Sequence, residues 1–268
     1  MTQTDSSATE PANTGTVSRA LQLLTILADA GEPVTVKAVS HKMGVAPSTA
    51  HRLLNLLRQE GFVEVAGSAG YYGVGAAFFR VAARVVDSVS VPRLAQPLLD
   101  DVAAAFNETV MLSWYVPSEG AMSFIARADG GQKLQYRIDL NTSMSLLWGA
   151  SGKAILAYLP QDAVIDLYER GAASPAASVA LPPFEQLCTE LDLIRRQGFA
   201  VTVGEKLPDA RGVAAPVFNA RGVAGCFCLT SPASRMPEAG IDAVSRKVVE
   251  KANELSSVLG YAGGEKIV

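Results

Sequence analysis

The stretch that most constrains this chain is residues 46–63, APSTAHRLLNLLRQEGFV. Pro47 suits a first helical position, where its fixed φ and missing N–H cost nothing. Ser48 or Thr49 can offer a hydroxyl to the open N–H groups of that first turn. Ala50, Leu53, Leu54 and Leu57 recur at i, i+3, i+4 and i+7, one apolar stripe of an α-helix. Ser48, Thr49, His51, Arg52 and Asn55 fall on the other side, and Gly61 stands where a helix stop is expected. That outer face carries the donor and acceptor types suited to base edges and phosphates. Upstream, Thr35 can cap a short helix over 36–43, and Gly44 can end it in the left-handed conformation. Downstream, FVEV and YY flank the Gly-rich turn GSAG, which reads as a two-stranded hairpin. Short helix, tight turn, helix and hairpin together are the winged helix-turn-helix pattern.

The surroundings fit such a domain. Val17, Ala20, Leu21, Leu24 and Leu27 form the stripe of a supporting first helix that Thr16 can cap and Gly31 and Pro33 can stop. Residues 16–80 hold six basic and four acidic side chains, whereas the whole chain has a net charge of −3. The basic excess is confined to this segment and is small, so tight DNA binding is expected to need more than one copy. Lys37 and Arg19 are candidate phosphate contacts; simple solvated charges are the alternative. Residues 1–15 are polar and acidic and read as a disordered leader. No apolar run approaches membrane-spanning length. Cys188, Cys226 and Cys228 give no disulfide framework, and a cytoplasmic setting is expected.

The domain layout expected is 1–15 leader, 16–75 winged helix-turn-helix, 76–91 connecting helix and 92–268 a second domain. Residues 76–91, AAFFRVAARVVDSVSV, run without a breaker to Pro92 and carry more apolar surface than a small domain needs. Phe78 and Phe79 are therefore candidate dimerisation residues; packing within their own domain is the alternative. Beyond Pro92, Leu94, Leu98, Val102, Ala105 and Phe106 fit an amphipathic helix. Strands are expected over 109–116, 121–128 and 133–140, then helices over 150–159 and 161–170 and a small-residue loop over 171–180. A helix over 184–197, strands over 199–203, 212–218 and 223–230, and a helix over 241–259 complete the pattern. Consecutive strands with helices on one side predict an α+β fold around an antiparallel sheet.

Three blocks carry a family resemblance. SLLWGASGKAILA at 145–157 is similar to the PLHATALGKALLA pattern of the IclR family of bacterial transcriptional regulators. The second block runs from QGFAV at 197–201 through GVAAPVFN at 212–219 to SPASR at 231–235, and the third is PSTAHRLLNLL followed by EGFV and YYGVG. The resemblance spans residues 16–260 and implies a homodimer or homotetramer, a DNA-reading N-terminal domain and a C-terminal domain that binds a small molecule. It places Trp148, Gly149, Ala150 and Ser151 on one side of a ligand pocket and Thr202, Gly212, Cys228 and Thr230 on the other. Cys226, Cys228 and Thr230 alternate onto one strand face and can share that space; the two cysteines can equally be small buried hydrophobes. The chain departs from the family where Thr202 replaces a frequent acid, Gly212 a frequent Cys, Leu147 the His of the pattern and Trp148 the Ala after it. Losing an acid and gaining a Trp favours a bulkier effector, an aromatic or partly apolar acid. The open N–H groups at the start of the helix following Gly149 could meet its oxygen end. Trp148 could be an apolar wall or a core residue.

Enzymatic readings of WGASGK fail on their own terms. A phosphate loop would need Gly at 147 and Ser or Thr at 154, where the chain has Leu147 and Ala154. A nucleophile elbow would need Gly rather than Lys153. No histidine follows His51, so nothing of that kind can activate Ser151, and no metal or other cofactor is called for. The reading is a ligand-responsive regulator that binds a palindromic double-stranded operator as a dimer or dimer of dimers, without a membrane partner. The alternatives are a second domain that only assembles the oligomer, and an enzyme carrying a helix-turn-helix.

Overall fold

The computed structural model describes residues 15–67, 70–88, 90–136, 138–171, 174–176 and 180–263. The expected leader, residues 1–14, and the tip of the hairpin, residues 68 and 69, lie outside them. The chain divides into two compact units, the first ending and the second beginning between residues 89 and 90 of the sequence.

In the first unit, α1 (Thr16–Ala30), α2 (Val36–Met43) and α3 (Pro47–Gln59) enclose Leu23, Leu27, Val39, Ala50, Leu53 and Leu54. Thr35 Oγ1 accepts from Ala38 N at 3.3 Å, capping α2, and Gly44 closes it with φ of 64°. Ser40 Oγ donates to Val45 O at 2.7 Å and Val45 N to Ser40 O at 3.1 Å, so the α2–α3 turn is fastened twice. Two expected caps are different. Thr16 begins α1 rather than capping it, and no side chain caps α3, where Ala46 O accepts from Thr49 N and Ala50 N instead. Pro47 already removes one of the donors a cap would serve.

The hairpin forms from β2 (Val63–Val65) and β3 (Tyr71–Val74), and a two-residue strand β1 (Val34–Thr35) adds to the other edge of β3. β1 is too short to leave a period in the sequence. Gly75 sits where the chain doubles back: a Cβ there would lie 2.4 Å from Gly61 O. Next comes α4 (Ala76–Ser88), shorter than the expected 76–91. Ser90 opens a new helix, α5 (Val91–Phe106), with Pro92 in its first turn, so the proline starts a helix rather than stopping one. α5 buries Ala95, Leu99, Val102 and Ala103, while Leu94 and Ala105 of the expected stripe are exposed.

The second unit is built on a six-stranded antiparallel sheet in the order β6-β5-β4-β9-β8-β7. Its strands are β4 (Thr109–Val116), β5 (Ala121–Ala128), β6 (Met144–Ser145), β7 (Ala200–Val203), β8 (Ala210–Asn219) and β9 (Gly222–Pro232). Helices cover both faces, not one. α5 and α9 (Glu238–Val258) pack on Val110, Leu112, Val213, Phe227 and Leu229. α6 (Gly149–Leu156), α7 (Gln161–Glu169) and α8 (Phe184–Gln197) share the opposite core with Met111, Phe124, Cys226 and Cys228. Neighbouring residues of β4 and β9 thus enter different cores, which is why β9 is buried almost without interruption.

The expected strand over 133–140 is absent among its described residues; Arg137 lies outside them. The segment is held from elsewhere: Arg235 Nη2 donates to the backbone at Leu134 O at 3.0 Å, and the Tyr136 side chain donates from Oη to Pro208 O at 3.1 Å. The edge of β5 is taken by β6 instead, through Ala121–Ser145 and Met122–Met144.

Candidate functional site

Two surfaces carry the chemistry. The first is the outer face of α3, whose opposite stripe of Ala50, Leu53 and Leu54 is fully buried. Ser48, His51 and Arg52 are exposed and Thr49 and Asn55 half-buried, so all five sit on the face away from the core. Asn55 Nδ2 lies 3.3 Å from His51 Nδ1 one turn away, which holds the two polar groups side by side. Lys37 is exposed on α2. An exposed helix with one guanidinium, one imidazole, one amide and two hydroxyls, presented by a short turn, has the shape and donor set of a major-groove reader.

On α4, Phe79 is 65% exposed and Val81 52% exposed, whereas Phe78 is half-buried and Ala77 buried. The two phenylalanines named from the sequence therefore face differently: Phe79 projects outward and Phe78 packs partly inward.

The second surface is a small cavity of about 40 Å³ between the start of α6 and the β7–β8–β9 end of the sheet. Of the nine residues expected at a ligand pocket, Gly149, Ala150, Ser151, Thr202, Gly212, Cys228 and Thr230 line it. Gly212 is central: a Cβ there would lie 3.2 Å from Ala150 Cβ and about 4 Å from Thr202 Oγ1 and Cys228 Sγ. Trp148 and Cys226 do not line it. Trp148 is 7% exposed within the core beneath α6, so it is a packing residue rather than a pocket wall. Cys226 is fully buried, with Sγ 3.1 Å from Ser113 Oγ and 3.4 Å from Ser151 O. Burial pushes both thiols up from their ordinary range, keeping them protonated and poorly nucleophilic.

The start of α6 also differs from expectation. Gly149 N donates to Glu205 Oε2 at 2.8 Å and Ala150 N to Thr202 Oγ1 at 2.8 Å, so protein oxygens already satisfy the first two N–H groups. Glu205 is held in turn by Lys153, which is 4% exposed: its Nζ lies 2.7 Å from Glu205 Oε1 and 2.9 Å from both carboxylate oxygens of Glu190. This cluster fixes the β7–β8 loop against α6.

Sequence reasoning missed that loop's contribution to the cavity. Glu205, Lys206 and Leu207 line it, with Phe124 and Ile138 as further apolar wall. The stem of Lys206 lies across Gly149, where an added Cβ would sit 3.0 Å from Lys206 Cδ. Gly149 has φ of 76° and is required there for both reasons. Lys206 is half-buried, and desolvation lowers its pKa to about 8, against the pull of Glu205. In the sequence GEKLPDA this lysine reads as an ordinary loop charge. Among the described residues, no cluster of His, Cys, Asp and Glu could hold a metal ion, and no helix is long and apolar enough to cross a membrane.

Comparison with known proteins places both surfaces in context. Residues 16–67 match the IclR helix-turn-helix domain, and residues 83–257 match the bacterial transcriptional regulator IclR C-terminal domain. The HTH-type transcriptional regulator BhcR of Paracoccus denitrificans is 27% identical over 241 residues, covering 90% of this chain and 85% of that protein. The transcriptional repressor IclR of Escherichia coli is 26% identical, covering 96% of this chain and 94% of the repressor. A crystal structure of an IclR-type regulator from a Silicibacter species superposes with a TM-score of 0.82 at 23% identity, covering 95% of this chain and 99% of that one, which establishes the shared fold.

Proposed function

From the premise that the chain belongs to the IclR family of bacterial transcriptional regulators, and so is a DNA-binding regulator rather than an enzyme, we propose that it is a ligand-responsive one. It binds a palindromic operator in the cytoplasm as a dimer or dimer of dimers, and a small, partly apolar organic effector in the cavity beside α6 adjusts that binding. The observation that carries this reading is the pairing of two features on one chain: an exposed polar face on α3, and a cavity floored by Gly212 and rimmed by hydroxyls. Ser48, Thr49, His51, Arg52 and Asn55 read the major groove and Lys37 contacts phosphate. Phe79, with Val81, supports self-association through α4, because an apolar strip of this exposure is costly on an isolated chain.

The test is selection of genomic fragments by the full-length protein, followed by nuclease footprinting. A protected, two-fold symmetric site with half-sites one DNA turn apart, or a multiple of it, is expected. Binding that does not prefer any fragment over competitor DNA at physiological salt would overturn the regulator reading for this chain.

A further inference from the structure

The cavity beside α6, at about 40 Å³, has room for a water or two, whereas sites for organic ligands run to about 300–1,000 Å³. A wall of it must therefore move before an organic molecule enters. Three lining residues, Glu205, Lys206 and Leu207, lie in the loop 204–209 between β7 and β8. Gly204 N donates to Ala210 O at 2.8 Å at the base of that loop, and Gly204 and Asp209, with φ of 68° and 56°, turn the chain at its two ends. Between those ends the bonds that fasten the loop to the rest of the unit involve side chains. Glu205 Oε2 accepts from Gly149 N at 2.8 Å and Oε1 from Lys153 Nζ at 2.7 Å. Ser174 Oγ donates to Glu205 O at 2.5 Å and Tyr136 Oη to Pro208 O at 3.1 Å.

The charge-assisted fastening is built to change partners. Besides Glu205, Lys153 Nζ contacts both carboxylate oxygens of Glu190 on α8, each at 2.9 Å. If Glu205 lets go and turns to water, the buried ammonium keeps a carboxylate that answers it with two oxygens. Without Glu190 the same release would strand Lys153 at 4% exposure with no other carboxylate partner among the described residues, which is costly. We propose that the β7–β8 loop is a latched lid on the cavity, with Glu205 as its latch and Glu190 as the partner that lets Lys153 release it. That the lid admits an effector rests on the reading of the cavity as an effector site; the exchange of partners does not.

The experiment contains no effector, so failure of the lid and failure of the effector reading are separate results. Hydrogen exchange of the full-length protein, read by mass spectrometry, follows the Gly149 amide and residues 203–210. Glu205→Gln should speed exchange there about tenfold, the size of one charge-assisted contact. Glu190→Gln should slow it by about the same factor, although it too removes an ion pair of the cluster. A cluster that merely braces the loop gives the opposite sign for Glu190→Gln. Iodoacetamide, a small neutral reagent, then reports whether the opening admits an organic molecule, because Cys228 lines the cavity and Cys226 does not. Cys228 alkylation should be faster in Glu205→Gln and slower in Glu190→Gln, in step with exchange, while Cys226 stays protected. Exchange in Glu190→Gln equal to or faster than wild type, or unchanged in Glu205→Gln, would overturn the exchange of partners. Cys226 alkylated alongside Cys228, or Cys228 rates indifferent to the variants, would overturn the lid and leave the effector reading with another entrance.

Discussion

Replacing Lys153 by Met tests the cluster that joins the cavity to the sheet. The ammonium is buried at 4% exposure and answers Glu190 and Glu205, whose side chains retain 32% and 22% exposure. Removing it leaves two carboxylates facing each other and frees the loop that bears Glu205 and Lys206. Breaking a buried ion pair costs about 3–5 kcal/mol. Because both carboxylates keep some water, the lower end applies, and a loss of about 3 kcal/mol is expected. Urea unfolding followed by tryptophan fluorescence measures it cleanly, since Trp114 and Trp148 are the chain's two tryptophans and both lie in the second unit. Arg170→Met is the control: Arg170 pairs with Asp166 where both side chains are 62% exposed, and such a pair contributes less than about 1 kcal/mol. Adding Glu205→Gln to Lys153→Met should recover part of the loss, because one stranded charge disappears. A Lys153→Met protein no less stable than Arg170→Met would refute the cluster's role.

Two other outcomes follow from the same geometry. Phe79→Ser should shift sedimentation toward smaller species and weaken operator binding without changing helix content, while a wild-type protein that is monomeric at micromolar concentration would remove α4 as an interface. Lys206→Met should be more stable than wild type at pH 7. The folded-state pKa of about 8 lies below the ordinary 10.5, so the unfolded chain binds the extra proton between those values. The gain, at most about 3 kcal/mol, should shrink as pH rises from 8 toward 10.5, and comparing the two proteins cancels the opposite trend of the buried thiols Cys226 and Cys228. A pH-independent difference in urea midpoints would contradict the lowered pKa of Lys206.

Much of the first unit is legible in the sequence because its determinants are local. The Ala50–Leu57 stripe, the Thr35 cap, the Gly44 stop and the hairpin each depend on residues a few positions apart. The second unit is legible where a period survives: 228 and 230 alternate onto the cavity face of β9, and Gly212 lies opposite Thr230 in the sheet. Reading it fails where contacts are distant. Lys206 reaches the cavity by lying beside Ser151, 55 residues earlier, and no local pattern marks that. Trp148 reads as a wall or a core residue until α6 is placed on the sheet. Residues 133–140 have strand composition but form no strand among their described residues; β6 covers only Ala121 and Met122 of the β5 edge. The helices on both faces had a visible signal, the nearly unbroken apolar run of β9, which the expectation of a single covered face passed over.

We propose that α3 reads DNA through the face opposite its buried stripe. Fluorescence anisotropy on the footprinted operator, comparing wild type with Arg52→Ala, tests it most directly. Arg52 is exposed and belongs to no core cluster, so the variant should stay folded and keep its oligomeric state. Loss of one side-chain contact to a base edge should cost about 1–3 kcal/mol at the operator and much less on unrelated DNA. Operator affinity unchanged in Arg52→Ala, at the same salt concentration, would contradict the account.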